Sequence, residues 1–209
     1  MFFRKKKKGV KAQDEVWISK VEKYQGLYNH LKHTLQEDES LLLINQFENT
    51  EQEVKQILAK LEVGHQDLQA TTIDLDAVNI FLATPEQMLM IAKSGPLTPQ
   101  LRSRGGFRII IVEHHPSYEQ EQILLEHLQE LFPTLTAKVL TSLDEPFMQT
   151  FGSERITKIM GQLGLKENES LEHTMISKSI ARAQQKIDKS VSQNISAGSQ
   201  QEWMDRSGL

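Results

Sequence analysis

Two adjacent histidines behind a glutamate, Glu113, His114 and His115, close the run FRIIIVEHH, the strongest strand signal in the sequence. Carboxylate and imidazole groups are common zinc ligands and proton-transfer groups, and His127 on the next segment could join them. Neighbouring residues of a strand point to opposite faces, however, so His114 and His115 do not easily serve one ion. Structural roles are expected for both. His30 and His33 lie three apart on one helical face, with no acidic pair at ligand spacing, and read as surface residues. Arg102, Ser103, Arg104 and Arg108 form the one basic cluster in the body of the chain, in and beside the loop SGPLTPQLRSRGG. A loop of this kind can meet an anion or a partner, and Arg102, Arg104 and Arg108 are the candidates for that contact. Gly105-Gly106 is followed by no Lys-Ser/Thr pair, and no G-x-x-x-x-G-K-[ST] occurs anywhere, so no phosphate-cradling loop is present. No nucleophile elbow or ordered Ser-His-Asp set is visible. Without cysteine there is neither a disulfide nor a thiolate metal site. No catalytic residue, cofactor or metal ligand is therefore expected.

A second candidate contact is the start of the chain, MFFRKKKKGVK. Its six positive charges are opposed by no acid, which leaves the remaining residues with 18 basic and 28 acidic side chains, a net of −10. Phe2 and Phe3 beside Arg4, Lys5, Lys6, Lys7 and Lys8 could give a weak, salt-sensitive contact with an anionic membrane. The alternative is a solvated terminus. No apolar stretch follows the charges as in a signal peptide, and no run approaches the ~18 apolar residues of a membrane span. An acidic body argues against broad nucleic-acid binding. The expected location is cytoplasmic, with peripheral contact at the inner membrane face.

The elements that must position these residues can be read in order. Residues 16–35 carry apolar side chains at helical spacing behind Asp14 as cap. LLLINQF (41–47) is an apolar run of strand length, followed by a helix through Val54, Ile57, Leu58 and Leu61 that stops near Gly64. AVNIFLA (77–83) is a strand candidate, and Thr84-Pro85 opens a short helix. After FRIIIVEHH, a helix from about Ser117 to Leu131 should bury Leu124, Leu125 and Leu128, with Ser117 as cap. LTAKVLT (135–141) reads as a fifth, more exposed strand. Helices are expected near 153–162 and 174–189, and the Ser/Gln-rich tail 190–209 should be flexible, with Trp203 and Met204 as a docking point. Alternating strands and helices imply an α/β fold with a mostly parallel sheet and flanking helices.

The stretches FGSERITKIMGQLGL (151–165) and LEHTMISKSIARAQQKID (171–188) resemble SecA, the preprotein translocase ATPase, at the end of its second nucleotide-binding domain and the lead into its helical scaffold. Phe151, Gly152, Ser153, Glu154, Arg155 and Ile156 match that family's pattern. So do Met160, Leu163, Gly164, Glu172, His173, Lys178, Ile180, Ala181, Ala183, Gln184 and Lys186. Upstream, DEVWISKVEKYQGL (14–27), LLLINQFENTEQEVKQILAKLEVGHQDLQA (41–70), FRIIIVEHH and LTSLDEPFMQTFGSERI (140–156) are similar to successive segments of the same domain. The resemblance implies the second lobe of a P-loop helicase-type, RecA-like motor with a C-terminal helical extension. It also implies a division into a basic tail (1–13), a RecA-like domain (14–150), a helical extension (151–189) and a flexible tail (190–209).

The chemistry of that family is not carried by the matching positions. ATPEQMLMIA (83–92) stands where the family writes A-G-R-G-T-D, and EQILLEHLQELFP (121–133) where it writes its arginine-finger segment, so the finger positions fall on His127 and Glu130. A glutamate there would repel a γ-phosphate. Only TTIDLD stands where the family places a crossover helix, too short for one. The expectation is a stand-alone, non-catalytic SecA-like domain that binds a protein partner and is linked to protein export, with no ATPase activity. A weak nucleotide-binding subunit completed by a partner lobe, and a structural homo-oligomer, are the alternatives.

Overall fold

The computed structural model describes residues 12–37, 39–68, 79–94, 107–151, 153–162, 164–191 and 195–209. Its centre is a parallel sheet of six strands in the order β1-β6-β5-β2-β4-β3. The strands are β1 (Ala12–Trp17), β2 (Ser40–Ile44), β3 (His65–Asp67), β4 (Ile80–Ala83), β5 (Phe107–Ile111) and β6 (Ala137–Ser142). Strand pairing is in register from β1 Ala12 opposite β6 Ala137 to β2 Ile44 opposite β5 Ile111. The architecture is α/β: four of the described helices cover the two faces of the sheet, and more helices follow the last strand in sequence.

Period-two alternation divides the apolar side chains between the faces. Leu41 and Leu43 of β2, with Ile110 and Leu140, pack under α1 (Lys20–Gln36) and α2 (Glu48–Lys60), meeting Leu27, Leu31, Val54 and Leu58. Leu42 and Ile44, with Ile109, Ile111 and Val139, meet α3 (Pro85–Ser94) and α4 (Tyr118–Leu131) through Met88, Ile91 and Leu128. Each of these strands is apolar on both sides because both faces are covered. Leu124, Leu125 and Leu128 of α4 are buried as the spacing predicts, and Ser117 caps the helix by accepting from Gln120 N. Thr84 and Gln87 cap α3 reciprocally, side chain to backbone in each direction.

Three readings need correction. The helix read over 16–35 behind Asp14 begins later than that: residues 12–17 form β1, and the helix starts at Lys20 behind Ser19, which accepts from Glu22 N. Val16 and Trp17 fit either pattern, and pairing with β6 decides for the strand. Strand β6 is not exposed, because it lies between β1 and β5 and is buried along nearly its whole length. The third concerns the tail. Residues Gln200–Ser207 form a helix whose Trp203 and Met204 are each 2% exposed. A third apolar core gathers there, from α5 (Pro146–Phe151), α6 (Ser153–Gln162), α7 (Thr174–Ser190) and this last helix, α8 (Gln200–Ser207), around Phe147, Ile180, Ile187 and Trp203. Residues 69–78, which hold TTIDLD, lie outside the described residues, although β3 and β4 on either side of them pair in parallel. Among the described residues, no helix is long and apolar enough to cross a membrane.

Candidate partner site at the carboxyl edge of the sheet

In an open parallel sheet, ligands bind where the loops leaving two neighbouring strands run in opposite directions. Here that point lies between β2 and β5. From β2 the chain moves outward to β3 and β4, and from β5 it moves the other way to β6. The residues just past the two strands, Asn45–Phe47 and Val112–His115, therefore frame a crevice at the carboxyl edge, and Val112 N continues the pairing by donating to Ile44 O.

A buried ion pair forms part of its frame. Lys23 of α1 is 1% exposed, and its Nζ lies 2.5 Å from Glu145 Oε1 and 3.1 Å from Val112 O. Thr141 donates to the other Glu145 oxygen at 2.6 Å. With three partners in place the pair fastens α1 to the ends of β5 and β6, and truncating one member would leave the other charge buried. Beside it, burial pushes the Glu113 carboxyl up to about 7; Lys23 pulls the other way and Glu145 adds to the rise. Among the described residues, neither Glu113 Oε1 nor the side-chain amide of Asn45 has a hydrogen-bond partner.

The two histidines separate, as adjacent strand residues should. His114 lies between two carboxylates: its Nδ1 is 2.9 Å from Glu121 Oε2 and its Nε2 is 3.3 Å from Asp14 Oδ1. Burial opposes the imidazolium, but Glu121 and Asp14 together raise its pKa well above the ordinary value. Asp14, which burial alone would raise, is held below its usual range by His114. A cavity of about 710 Å³ opens beside this triad between α4 and α7. His115 turns into the crevice. Its ring stacks on Phe47 at 5.5 Å between centroids and meets the edge of Trp203 at 5.2 Å, and burial takes its pKa down to about 4. Among the described residues, no group of three or more His, Cys, Asp or Glu side chains is placed to hold a metal ion.

The last helix closes the crevice. Asn49 N, in the first turn of α2, donates to Gly198 O at 2.9 Å. Phe147 N, in the first turn of α5, donates to Gln200 Oε1 at 2.9 Å, and Gln200 Nε2 donates to His114 O at 3.0 Å. Helix-start N–H groups without an intrahelical partner are the donors an anion would use. Here two of them are occupied by oxygen atoms of the chain's own C-terminal segment. None of the described arginine side chains enters the crevice. Arg206 is on the outer surface of α8, bonded to Ser196 O and paired with Glu202.

Of the candidate contacts read from the sequence, only Arg108 is described; Arg102, Arg104, Phe2, Phe3, Arg4, Lys5, Lys6, Lys7 and Lys8 lie outside the described residues. Arg108 sits near the opposite, amino end of β5. It bonds to His33 Nδ1 at 3.2 Å and His30 Nδ1 at 3.5 Å, with Glu39 at 3.8 Å. That set brings the two α1 histidines to Arg108 rather than leaving them as unconnected surface residues. His127 is bonded to Ile123 O on α4, and Glu130 is exposed. The residues missed at the crevice are Gln200, Phe47 and Lys23, whereas Trp203, read as a docking point of the tail, is packed there. A signal existed for Gln200: Ser199 and Glu202 have the S-x-x-E spacing of a capping box that brackets it, directly ahead of Trp203-Met204.

No protein-family model matches the chain. It is 28% identical over 182 residues to the protein translocase subunit SecA of Phocaeicola vulgatus, covering 84% of this chain and 17% of that one. The SecA of Amoebophilus asiaticus is 38% identical over 92 residues, which is 44% of this chain and 8% of the relative. The chain is SecA-like. It spans about a sixth of the length of the curated relatives it matches over most of its own length, 17% in the first case. Among solved structures, the C-terminal part of the Fun30 ATPase domain overlaps 80% of this chain and 54% of its own, with a TM-score of 0.41 and 12% identity.

Proposed function

We propose that this SecA-like chain is a non-catalytic binding module that works through protein contacts at the protein-export machinery, from the cytoplasmic side. The observation that carries the reading is the content of the carboxyl-edge crevice. Phosphoryl transfer needs cationic groups aimed at the transferring phosphate. The described crevice offers the carboxylates Glu113 and Glu145, a lysine already held by Glu145, and the rings of Phe47, His115 and Trp203. A nucleotide polyphosphate would meet negative charge and aromatic side chains, while the α2 and α5 helix starts are satisfied from within. The SecA relatives supply the link to export, since they are named as translocase subunits. Calorimetric titration of the full chain with Mg-ATP tests the absence of nucleotide chemistry. The reading predicts no binding at micromolar concentrations and no phosphate release. Micromolar affinity that is lost in Arg102→Ala or Arg104→Ala would overturn it.

A further inference from the structure

We propose that the carboxyl-edge crevice is a helix-docking groove, occupied reversibly by residues 195–209, and that the same segment of a second copy of the chain exchanges into it. The inference rests on the reading of this edge as a protein-contact site and names the partner.

The bound segment has the form of a helical ligand. Gln200, Trp203 and Met204 face the groove at i, i+3 and i+4, the spacing by which an amphipathic helix is read. The opposite side carries Gln201, Asp205 and Arg206 in solvent. Recognition combines shape with polar reading. Trp203 is seated against the His115 ring, while the Gln200 amide both donates and accepts across the groove, to His114 O and from Phe147 N. Gly198 O adds the bond from Asn49.

The same segment is built to leave. Eight residues are too few for a helix to persist alone in water, so α8 is ordered by docking and by its local caps. Those caps travel with it. Ser199 accepts from Glu202 N, Glu202 accepts from Gly198 N, and Gly208 closes the other end in a left-handed conformation with φ 74°. Among the described residues, no strand pairing ties the segment to the sheet. Undocking would uncover Phe47 and His115, the groove's aromatic floor, and free the α2 and α5 helix starts. A second copy presents the one segment already known to match that surface.

The test uses the full chain and a fluorescently labelled peptide of residues 195–209, read by anisotropy. The wild-type chain should bind it weakly, because its own tail competes at high effective concentration. The Trp203→Ala chain, with folding checked by circular dichroism, should bind it about tenfold more tightly or better. A peptide carrying Trp203→Ala should bind neither. If Trp203→Ala does not fold, Gln200→Ala decides, since it removes two hydrogen bonds and keeps the aromatic contact; it should bind the peptide more tightly than wild type. A folded variant that fails to gain affinity, or one that binds the Trp-less peptide equally well, overturns the proposal. Such a failure would leave the non-catalytic reading untouched, which falls only to the Mg-ATP titration.

Discussion

Replacing Glu113 by glutamine should stabilise the protein, and increasingly so as pH rises. The carboxyl is buried at the end of β5, where burial moves its pKa from 4.5 to about 7. Below 4.5 the group is protonated whether the chain is folded or unfolded, and it imposes no penalty. Between 4.5 and 7 the unfolded chain loses its proton while the folded chain keeps it, so stability falls as pH rises. Well above 7 the folded state carries a buried, partly opposed carboxylate, and the full cost is about 3 kcal/mol. Glutamine keeps the size and the Thr50-facing oxygen without the charge. His115 acts in the opposite sense: its pKa of about 4 means that stability is lost as pH falls from 6.5 toward 4. Because the variant retains His115, the difference between the two proteins isolates Glu113. Urea unfolding at pH 5 and pH 8.5 measures it. Glu113→Gln should differ little from wild type at the lower pH and gain up to about 3 kcal/mol at the higher one. A variant that is instead destabilised at pH 8.5 would mean that Glu113 is a paired carboxylate, with Lys23 shared between it and Glu145, and the burial argument would fail.

Gly26→Ala should cost about 1–3 kcal/mol in the same assay, because its Cβ would fall 2.2 Å from the Trp17 ring, which is packed against the sheet. Equal midpoints for the two proteins would show that the ring can move aside. Leu128→Ala should cost about 2–5 kcal/mol, since Leu128 is fully buried under the β5–β6 face; a loss under about 0.5 kcal/mol would contradict that packing. The basic start, Arg4 to Lys8, should draw the chain weakly to anionic vesicles at low salt, at about 1 kcal/mol per charge or less. Co-sedimentation that is the same with and without residues 1–11 would discard the membrane contact.

Most of the sheet and its helices were legible because burial on both faces leaves near-continuous apolar runs, as in LLLI and FRIII, and because caps such as Ser117 mark helix starts locally. The edge strand was not. AQDEVW mixes two acids and a glutamine with three apolar residues, and its strand state depends on β6, which lies over a hundred residues away in sequence. The acids look solvent-facing in sequence, yet Asp14 is buried because His114 waits for it, and Glu15 because His30 and Lys138 do. The tail misled for a related reason. Serine and glutamine lower its mean hydropathy, but Gln200 is buried with both amide ends bonded, and one tryptophan supplies much of the apolar contact. Composition cannot reveal a glutamine whose partners are a backbone carbonyl and amide from elements far apart in the chain.

The central claim, that the C-terminal helix holds the carboxyl edge closed, is tested most directly by amide hydrogen exchange at two positions. Asn49 N donates to Gly198 O, and Phe147 N to Gln200 Oε1, so both should exchange when α8 undocks. In Trp203→Ala the two amides should exchange faster together, by about tenfold or more, while Val112 N, which donates to Ile44 O inside the sheet, keeps its protection. Unchanged rates at Asn49 and Phe147 in that variant would contradict the account.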